Sequence, residues 1–514
     1  MNNKKVGFGT RTGFALAAAG SAIGLGNLWG LPYKVSANGG SAYLFVYFLC
    51  IVLIGAVAMM AEFAIGRNAK ANTVSAFQKV SPGLGWAGLL AVVIPFIIIC
   101  YYFVLGGFTV KFALNSYAGN EDNFYNFAGN HGDVLLHTLL FALLAFAIVA
   151  AGIRGGIEKS AKILMPTVLF FLLLIVCISL MLGEGVGDGI AYYLRPDFSA
   201  LTPSAVLSAM GQALFSLSLG CGAMITYGSY AVEKFSIGKA ALAVCSIDVV
   251  ISLLMGFAIF PALFHYSAVS GVPVSEMGFG NFGLMFVTMS RVFAEIPMIG
   301  QTISFLFFTI AAIVAVTSVI SILEVVTQFL IQKYRVYRTK AAMAVSLLCF
   351  VLSIPIVYSL GAALTGRGGV TIFGKNLFEY LDATSVTLLM PICALLSCLA
   401  ASKLLKREGI VTRGYYPLMV KYVTPLLIIA VELIGIVDLI MPNRRFSKEG
   451  LGIVLVAYGV IALCVVVYFA FLKKDTGGCN QDEVAVRNRE VDKIRQGLPL
   501  TWTRMESEGE DEER

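Results

Sequence analysis

Charge is what this sequence has least of. Only 13% of its 514 residues are Asp, Glu, Lys or Arg, against about 25% in a typical soluble domain. With 58% hydrophobic residues and a mean hydropathy of +0.85, a water-soluble fold would have too little interior for its apolar surface. Histidine is nearly absent, at three residues, so a histidine-based metal centre is not expected. The ten cysteines sit mostly inside apolar runs, as at Cys50, Cys177, Cys349 and Cys464, and form no CxxC pair. That argues against a disulfide framework and a zinc site. No nucleophile–base arrangement stands out, so an enzyme is not expected. A net charge of +7 could point to nucleic acid, but no basic stretch carries the interleaved aromatics of a nucleic-acid platform.

What the chain does have is apolar runs of about 20 residues, each long enough to cross roughly 30 Å of hydrocarbon. Twelve spans are expected, at roughly 11–37, 42–66, 86–113, 134–153, 160–182, 203–231, 240–264, 297–331, 341–361, 377–402, 417–440 and 450–472. The fold class is therefore an all-α membrane protein. The first apolar run lacks a small-residue cleavage site and reads as a retained helix. Lys and Arg concentrate in alternate connections, among them Arg67, Arg154, Lys162, Lys333, Arg335 and Arg338. By the positive-inside rule both termini are cytoplasmic, in a multi-pass protein of the cell membrane. Residues 1–474 form one transmembrane domain. Residues 475–514 are polar, end in EGEDEER and read as a mostly disordered tail, with a short helix at 484–495 as an option.

Two spans are interrupted by small residues: Gly20-Ser21-Ala22-Ile23-Gly24-Leu25-Gly26-Asn27 in the first and Ser216-Leu217-Ser218-Leu219-Gly220-Cys221-Gly222 in the sixth. Glycine costs about 1 kcal/mol per helical position relative to alanine, so each run invites an unwound stretch; close helix packing is the alternative. Spans 1 and 6 open the two five-helix halves 1–5 and 6–10. Matched interruptions at those places point to an inverted repeat with a central transport site.

At this point the chain resembles the neurotransmitter:sodium symporters, in particular their bacterial members such as the leucine transporter. The resemblance rests on GSAIGLGNLWGLPYKVSANGG (20–40), MAEFAIGR (60–67), CYYF (100–103), GQALFSLSLGCGAMITYGSY (211–230) and VAVTSVISILE (314–324). It implies sodium-coupled import of an amino acid by alternating access, with broken helices 1 and 6. It also implies two sodium ions. One would be held by the carbonyls of Gly20, Ile23 and Val314 with the hydroxyls of Thr317 and Ser318. The other would be held by the Ala22 carbonyl, Asn27, Ser216, Asp248 and the substrate carboxylate. Hard cations take such oxygen ligands.

The same resemblance places the substrate carboxylate at the amides of Leu25 and Gly26 and the Tyr102 hydroxyl. Its amino group falls at carbonyls of Ala22, Phe215 and Ser216, near Ser218. The side-chain pocket would comprise Ser21, Leu25, Ile98, Phe215, Cys221, Ser318 and Ile322. Family members that carry monoamines have aspartate where this chain has Gly24, which implies an α-amino acid here. The pocket has no charge, and Cys221 replaces a bulky aromatic of the leucine-transporting relative. A neutral, hydrophobic or aromatic amino acid follows. Rival readings are a carrier of the same fold for an osmolyte or ω-amino acid, and a non-transporting amino-acid sensor. Spans 11 and 12, outside the repeat, are the candidate homodimer surface. The lipid bilayer is the remaining partner.

Three departures from the family pattern carry expectations. Asp248 stands where many relatives have asparagine. The chloride-binding residues of the dependent members, matching Tyr47, Gln212, Ser216 and Ser252, are all present. A carboxylate beside an anion is repulsive in low dielectric, so chloride independence is expected. The usual gate arginine is Gly30 here; Lys34 one turn later can reach back to Asp382, and a solvated Lys34 is the alternative. Lys5 and Gln332 replace an arginine–aspartate pair on the other side, leaving closure there to aromatic packing. Glu62 and Glu324 are expected to bond unwound backbone, and Glu432 has no assigned role.

Overall fold

The computed structural model describes residues 7–473, apart from 116–120, 232–235, 275–283, 295, 297, 367–370, 373–374, 405–414 and 442–445. The tail from 475, Lys5 and part of the basic connections therefore lie outside the described residues.

Among the described residues, ten helices are long and apolar enough to cross a membrane. Spans 2 to 5 are Ser41–Ala69, Pro82–Asn115, His131–Ala150 and Ile153–Leu180. Spans 7 to 10 are Ile237–Ser270, Gly300–Tyr334, Arg338–Leu364 and Leu377–Leu404. Spans 11 and 12 are Tyr416–Val437 and Lys448–Leu472. The first span is a bent pair, Arg11–Ala22 and Gly26–Ala37, with 59° between the halves. The sixth is also two pieces, Pro203–Ser216 and Ala223–Ser229. The breaks fall in the two spans where glycine clusters predicted them.

Local chemistry explains both breaks. The first helix stops where Ile23 turns extended (φ −83°, ψ 99°). In the sixth span Ser218, Gly220 and Gly222 all take positive φ, at 51°, 79° and 72°. Backbone unwound inside a membrane must find partners within the protein. The Gly220 N–H finds Glu62 Oε1 at 2.7 Å, and the Leu219 N–H finds the Leu214 carbonyl at 3.0 Å. Glu62 thus bonds unwound backbone, as expected.

Spans differ in how deeply they lie. In spans 3 and 8, 83% of the most apolar window is buried inside the protein, against 28% in span 12. Spans 3 and 8 pack against each other in the interior, with span 8 also against both broken helices, while spans 4, 5, 9, 11 and 12 form the outer belt. That belt presents Phe170, Leu347, Leu433 and Val466 outward, as a lipid-facing surface requires. Short helices that no sequence signal announced, Glu121–Gly129 and Val186–Leu194, lie in the connections.

Candidate functional site

The two breaks and spans 3, 8 and 10 enclose one cavity. It is lined by Ser21, Ala22, Gly24, Gly26, Asn27, Ile98, Tyr102, Phe215, Ser216, Ser218, Cys221, Ser318, Ile322 and Met390. Every residue expected to contact substrate lines it except Leu25. That residue contributes its backbone instead: the Leu25 N–H donates to the Tyr102 hydroxyl at 3.2 Å. Met390 was not foreseen, because the tenth span carries no motif. Gly220 lies directly against it: a Cβ there would stand 2.1 Å from the Met390 carbonyl.

Side chains stitch the breaks together. Ser218 Oγ donates to the Ser21 carbonyl at 2.7 Å, and Ser21 Oγ donates to Ser321 Oγ at 2.7 Å. Phe215 lies over Gly26 so closely that a Cβ there would stand 2.7 Å from its ring. Glycine at 26 is what lets this aromatic cover the cavity. At Gly24 an added Cβ would meet Ser318 Oγ at 3.0 Å and the Tyr102 hydroxyl at 3.5 Å. A side chain at 24 would therefore intrude between the groups lining the cavity.

Two clusters of oxygen atoms flank this cavity. In one, Thr317 Oγ1 lies 3.0 Å from the Val314 carbonyl and Ser318 Oγ lies 3.1 Å from the Ile23 carbonyl. Gly20 packs against the same Thr317. In the other, Asp248 is fully buried. Asn27 Nδ2 donates to its Oδ1 at 2.8 Å and Ser216 Oγ donates to the same oxygen at 2.6 Å. The Tyr47 hydroxyl lies 3.1 Å from Oδ2. Asn27 Nδ2 also reaches Ser252 Oγ at 2.9 Å. No Lys, Arg or His forms an ion pair with Asp248 among the described residues. A buried carboxylate without a counter-charge is costly, and the oxygens gathered on it from Ser216 and Tyr47 are of the kind a hard cation takes. Among the described residues there is no cluster of His, Cys, Asp and Glu that would hold a transition metal.

Both ends of the cavity are closed. At one end the Lys34 ammonium donates to Gln212 Oε1 at 2.8 Å, and Gln212 Nε2 donates to the Gly26 carbonyl at 2.8 Å. Lys34 was expected either to reach Asp382 or to lie in solvent; its hydrogen bond goes to Gln212. Asp382 instead accepts from the Tyr101 hydroxyl at 3.1 Å. At the other end Glu324 forms a two-pronged ion pair with Arg338, at 2.6 and 2.7 Å, and accepts from the Tyr230 hydroxyl at 2.7 Å. Glu324 therefore does not bond unwound backbone as expected. It lies beside a guanidinium, the stronger donor. Gln332 accepts from Asn72 N and Nδ2 at 2.6 and 2.8 Å. Glu432 is buried in span 11 with Oε1 unpartnered.

Broken helices around a central cavity, with oxygen clusters beside it and closures at both ends, define a secondary transporter. The chain belongs to the sodium:neurotransmitter symporter family, whose pattern matches residues 5–122 and 123–474. It is 34% identical over 405 residues to the Bacillus subtilis sodium-dependent transporter YhdH, covering 76% of this chain and 86% of that one. A sodium-dependent transporter of Haemophilus influenzae is 32% identical over 468 residues, covering 84% and 98%. Among solved structures, the crystal structure of MhsT in complex with L-phenylalanine superposes with a TM-score of 0.76 at 33% identity. It covers 84% of this chain and all of MhsT. The protein is thus a multi-pass membrane protein of a sodium-dependent symporter family.

Proposed function

We propose that this protein imports a neutral, hydrophobic or aromatic α-amino acid, driven by two sodium ions that bind at the oxygen clusters beside the cavity. The observation that carries the reading is the buried Asp248 with no counter-charge, one residue cluster away from a cavity lined by no ionised side chain. Sodium there would neutralise the carboxylate and offer the substrate carboxylate its second ligand, so ion and substrate complete each other's site. The substrate amino group falls among the Ala22, Phe215 and Ser216 carbonyls. Its side chain would extend between Ile98, Ile322, Cys221 and Met390, whose soft sulfurs favour an aromatic ring. L-phenylalanine bound to MhsT supports that choice.

Transport would be independent of chloride. Of the four residues around that position, Tyr47 and Ser216 already serve Asp248, Gln212 is engaged by Lys34 and Gly26, and Ser252 accepts from Asn27. This separates the protein from its more distant relative, the sodium- and chloride-dependent GABA transporter 2 of rat, 24% identical over 422 residues. The N-terminus and the charged tail would lie in the cytoplasm.

The test is uptake into proteoliposomes of a labelled substrate panel, under an inward sodium gradient and under matched potassium. Sodium-dependent accumulation of aromatic or large aliphatic amino acids, unchanged in gluconate, supports every part of the reading. Uptake of GABA or a betaine instead moves the substrate to an osmolyte or ω-amino acid. Loss of uptake without chloride overturns the role given to Asp248. Equilibrium binding without uptake, restored by removal of residues 475–514, would turn the reading towards a sensor.

A further inference from the structure

The segment 7–13 runs beneath the cavity and is tied to the first turn of span 5. Glu158, almost fully buried, is the anchor. Its Oε2 accepts from the Gly9 N–H at 2.6 Å, and its Oε1 accepts from the Thr10 hydroxyl at 2.8 Å and from Lys162 at 2.6 Å. Thr10 passes the contact on, since its Oγ1 caps the first helix by accepting from the Gly13 N–H at 2.9 Å. One turn earlier, Arg154 Nε donates to the Gly7 carbonyl at 2.9 Å.

The other edge of the same segment meets the sixth span. The Phe8 N–H donates to the Tyr230 carbonyl at 3.2 Å, and the Phe8 ring packs edge-on against Phe14 and Tyr227. The close contacts depend on absent side chains. A Cβ at Gly13 would lie 2.2 Å from Glu158 Oε1, and one at Gly7 would lie 2.7 Å from the Tyr230 carbonyl. The spacing of glycines in GFGTRTG is thus a fit to two neighbours.

We propose that Glu158 is a positioning residue for the conformational step of transport: it latches segment 7–13 to span 5, and release of that latch governs opening of the site on the N-terminal side. The physical reason is that helix Arg11–Ala22 ends at Ala22, which lines the cavity. Access from below therefore requires this half-helix to leave span 5 or to carry it along. Leaving strips the carboxylate of two donors at once and exposes the helix N-terminus, whose partial positive charge a carboxylate favours. Aromatic packing of Phe8 alone supplies no such directional hold. This role rests on the transporter reading above.

The test measures the latch without substrate or ions, so its failure is distinguishable from failure of that reading. Spin labels are placed at Thr12→Cys and Thr339→Cys, both exposed, with Cys177→Ala and Cys479→Ala as background in the full chain. Glu158→Ala is expected to shift the distance distribution to longer, broader values, and Glu158→Gln, which keeps one acceptor oxygen, to shift it less. Thr10→Val, which leaves the Gly9 N–H on Glu158, should shift it in the same direction as Glu158→Ala but less, and Thr10→Ser should leave the parent distribution. Distributions that superimpose for folded Glu158→Ala and for Thr10→Val overturn the proposal. If Glu158→Ala cannot be purified, the Thr10 pair decides.

Discussion

The two ends of the cavity are closed by different chemistry. The Lys34 end rests on single hydrogen bonds: Lys34 to Gln212, Gln212 to Gly26, Tyr101 to Asp382. The N-terminal end rests on ionised groups that are buried and multiply held. Glu158 takes three donors, and the Glu324–Arg338 pair is two-pronged with Tyr230 added. A hydrogen bond is worth about 0.5–1.5 kcal/mol net, or 1.5–3 kcal/mol with a charged partner. Breaking a buried ion pair by removing one partner costs about 3–5 kcal/mol. The Lys34 end should therefore open and close cheaply, while the N-terminal end is the more strongly held.

The largest expected effect removes the charge over which both ends close. Asp248→Ala should abolish sodium-driven uptake, a loss of at least about 100-fold if only 3 kcal/mol of ion binding is at stake. Asp248→Asn should retain a neutral site that needs an added anion, so its uptake should become chloride-dependent. Uptake by Asp248→Asn in gluconate equal to that in chloride would show that the anion position is closed for another reason.

Next in size is the N-terminal end. Arg338→Ala strands the Glu324 carboxylate in a fully buried place and should destabilise the protein by about 3–5 kcal/mol. Thermal unfolding in detergent would read this, and the double variant Arg338→Met with Glu324→Gln should recover most of it. If the single variant melts as the parent does, the contrast between the two ends fails.

How much of this was legible beforehand divides along the same line. Hydropathy gives the spans because lipid permits little else, and the glycine clusters give the breaks because helix loses most there. The cavity-lining residues followed from motif blocks that sit on those breaks. Partner choice did not. Arg338 was counted among inner-loop cations by its sign, yet it stands opposite Glu324, a contact set by how spans 8 and 9 meet. Leu25 has its side chain turned out of the cavity, because an unwound stretch has no period from which to read a face. Met390 is brought in by the fold alone.

A smaller effect sharpens the comparison at the Lys34 end. Lys34→Met should raise the substrate KM with little change in maximal rate, by roughly 10-fold, the lower figure for a charge-assisted hydrogen bond. The reason is that Gln212 would then hold the Gly26 carbonyl without its own anchor. Lys34→Arg keeps a donor and should stay close to the parent.

The smallest effect is the most discriminating. Tyr101→Phe deletes one hydroxyl and leaves Asp382 with one donor fewer, while the ring keeps its edge-on contact with Phe378. At 3.1 Å, the low end for a hydrogen bond to a charged group, about 1.5 kcal/mol, sets the ceiling, so the change in KM should not exceed roughly 10-fold. Lys34 and Tyr101 form their hydrogen bonds to different partners, Gln212 and Asp382, so the effects of Lys34→Met and Tyr101→Phe on uptake should add in the double variant. A strongly super-additive loss would mean that Lys34 and Asp382 act on each other during the cycle. The Lys34 end would then be an ionic closure after all, and the difference in kind between the two ends would reduce to one of degree.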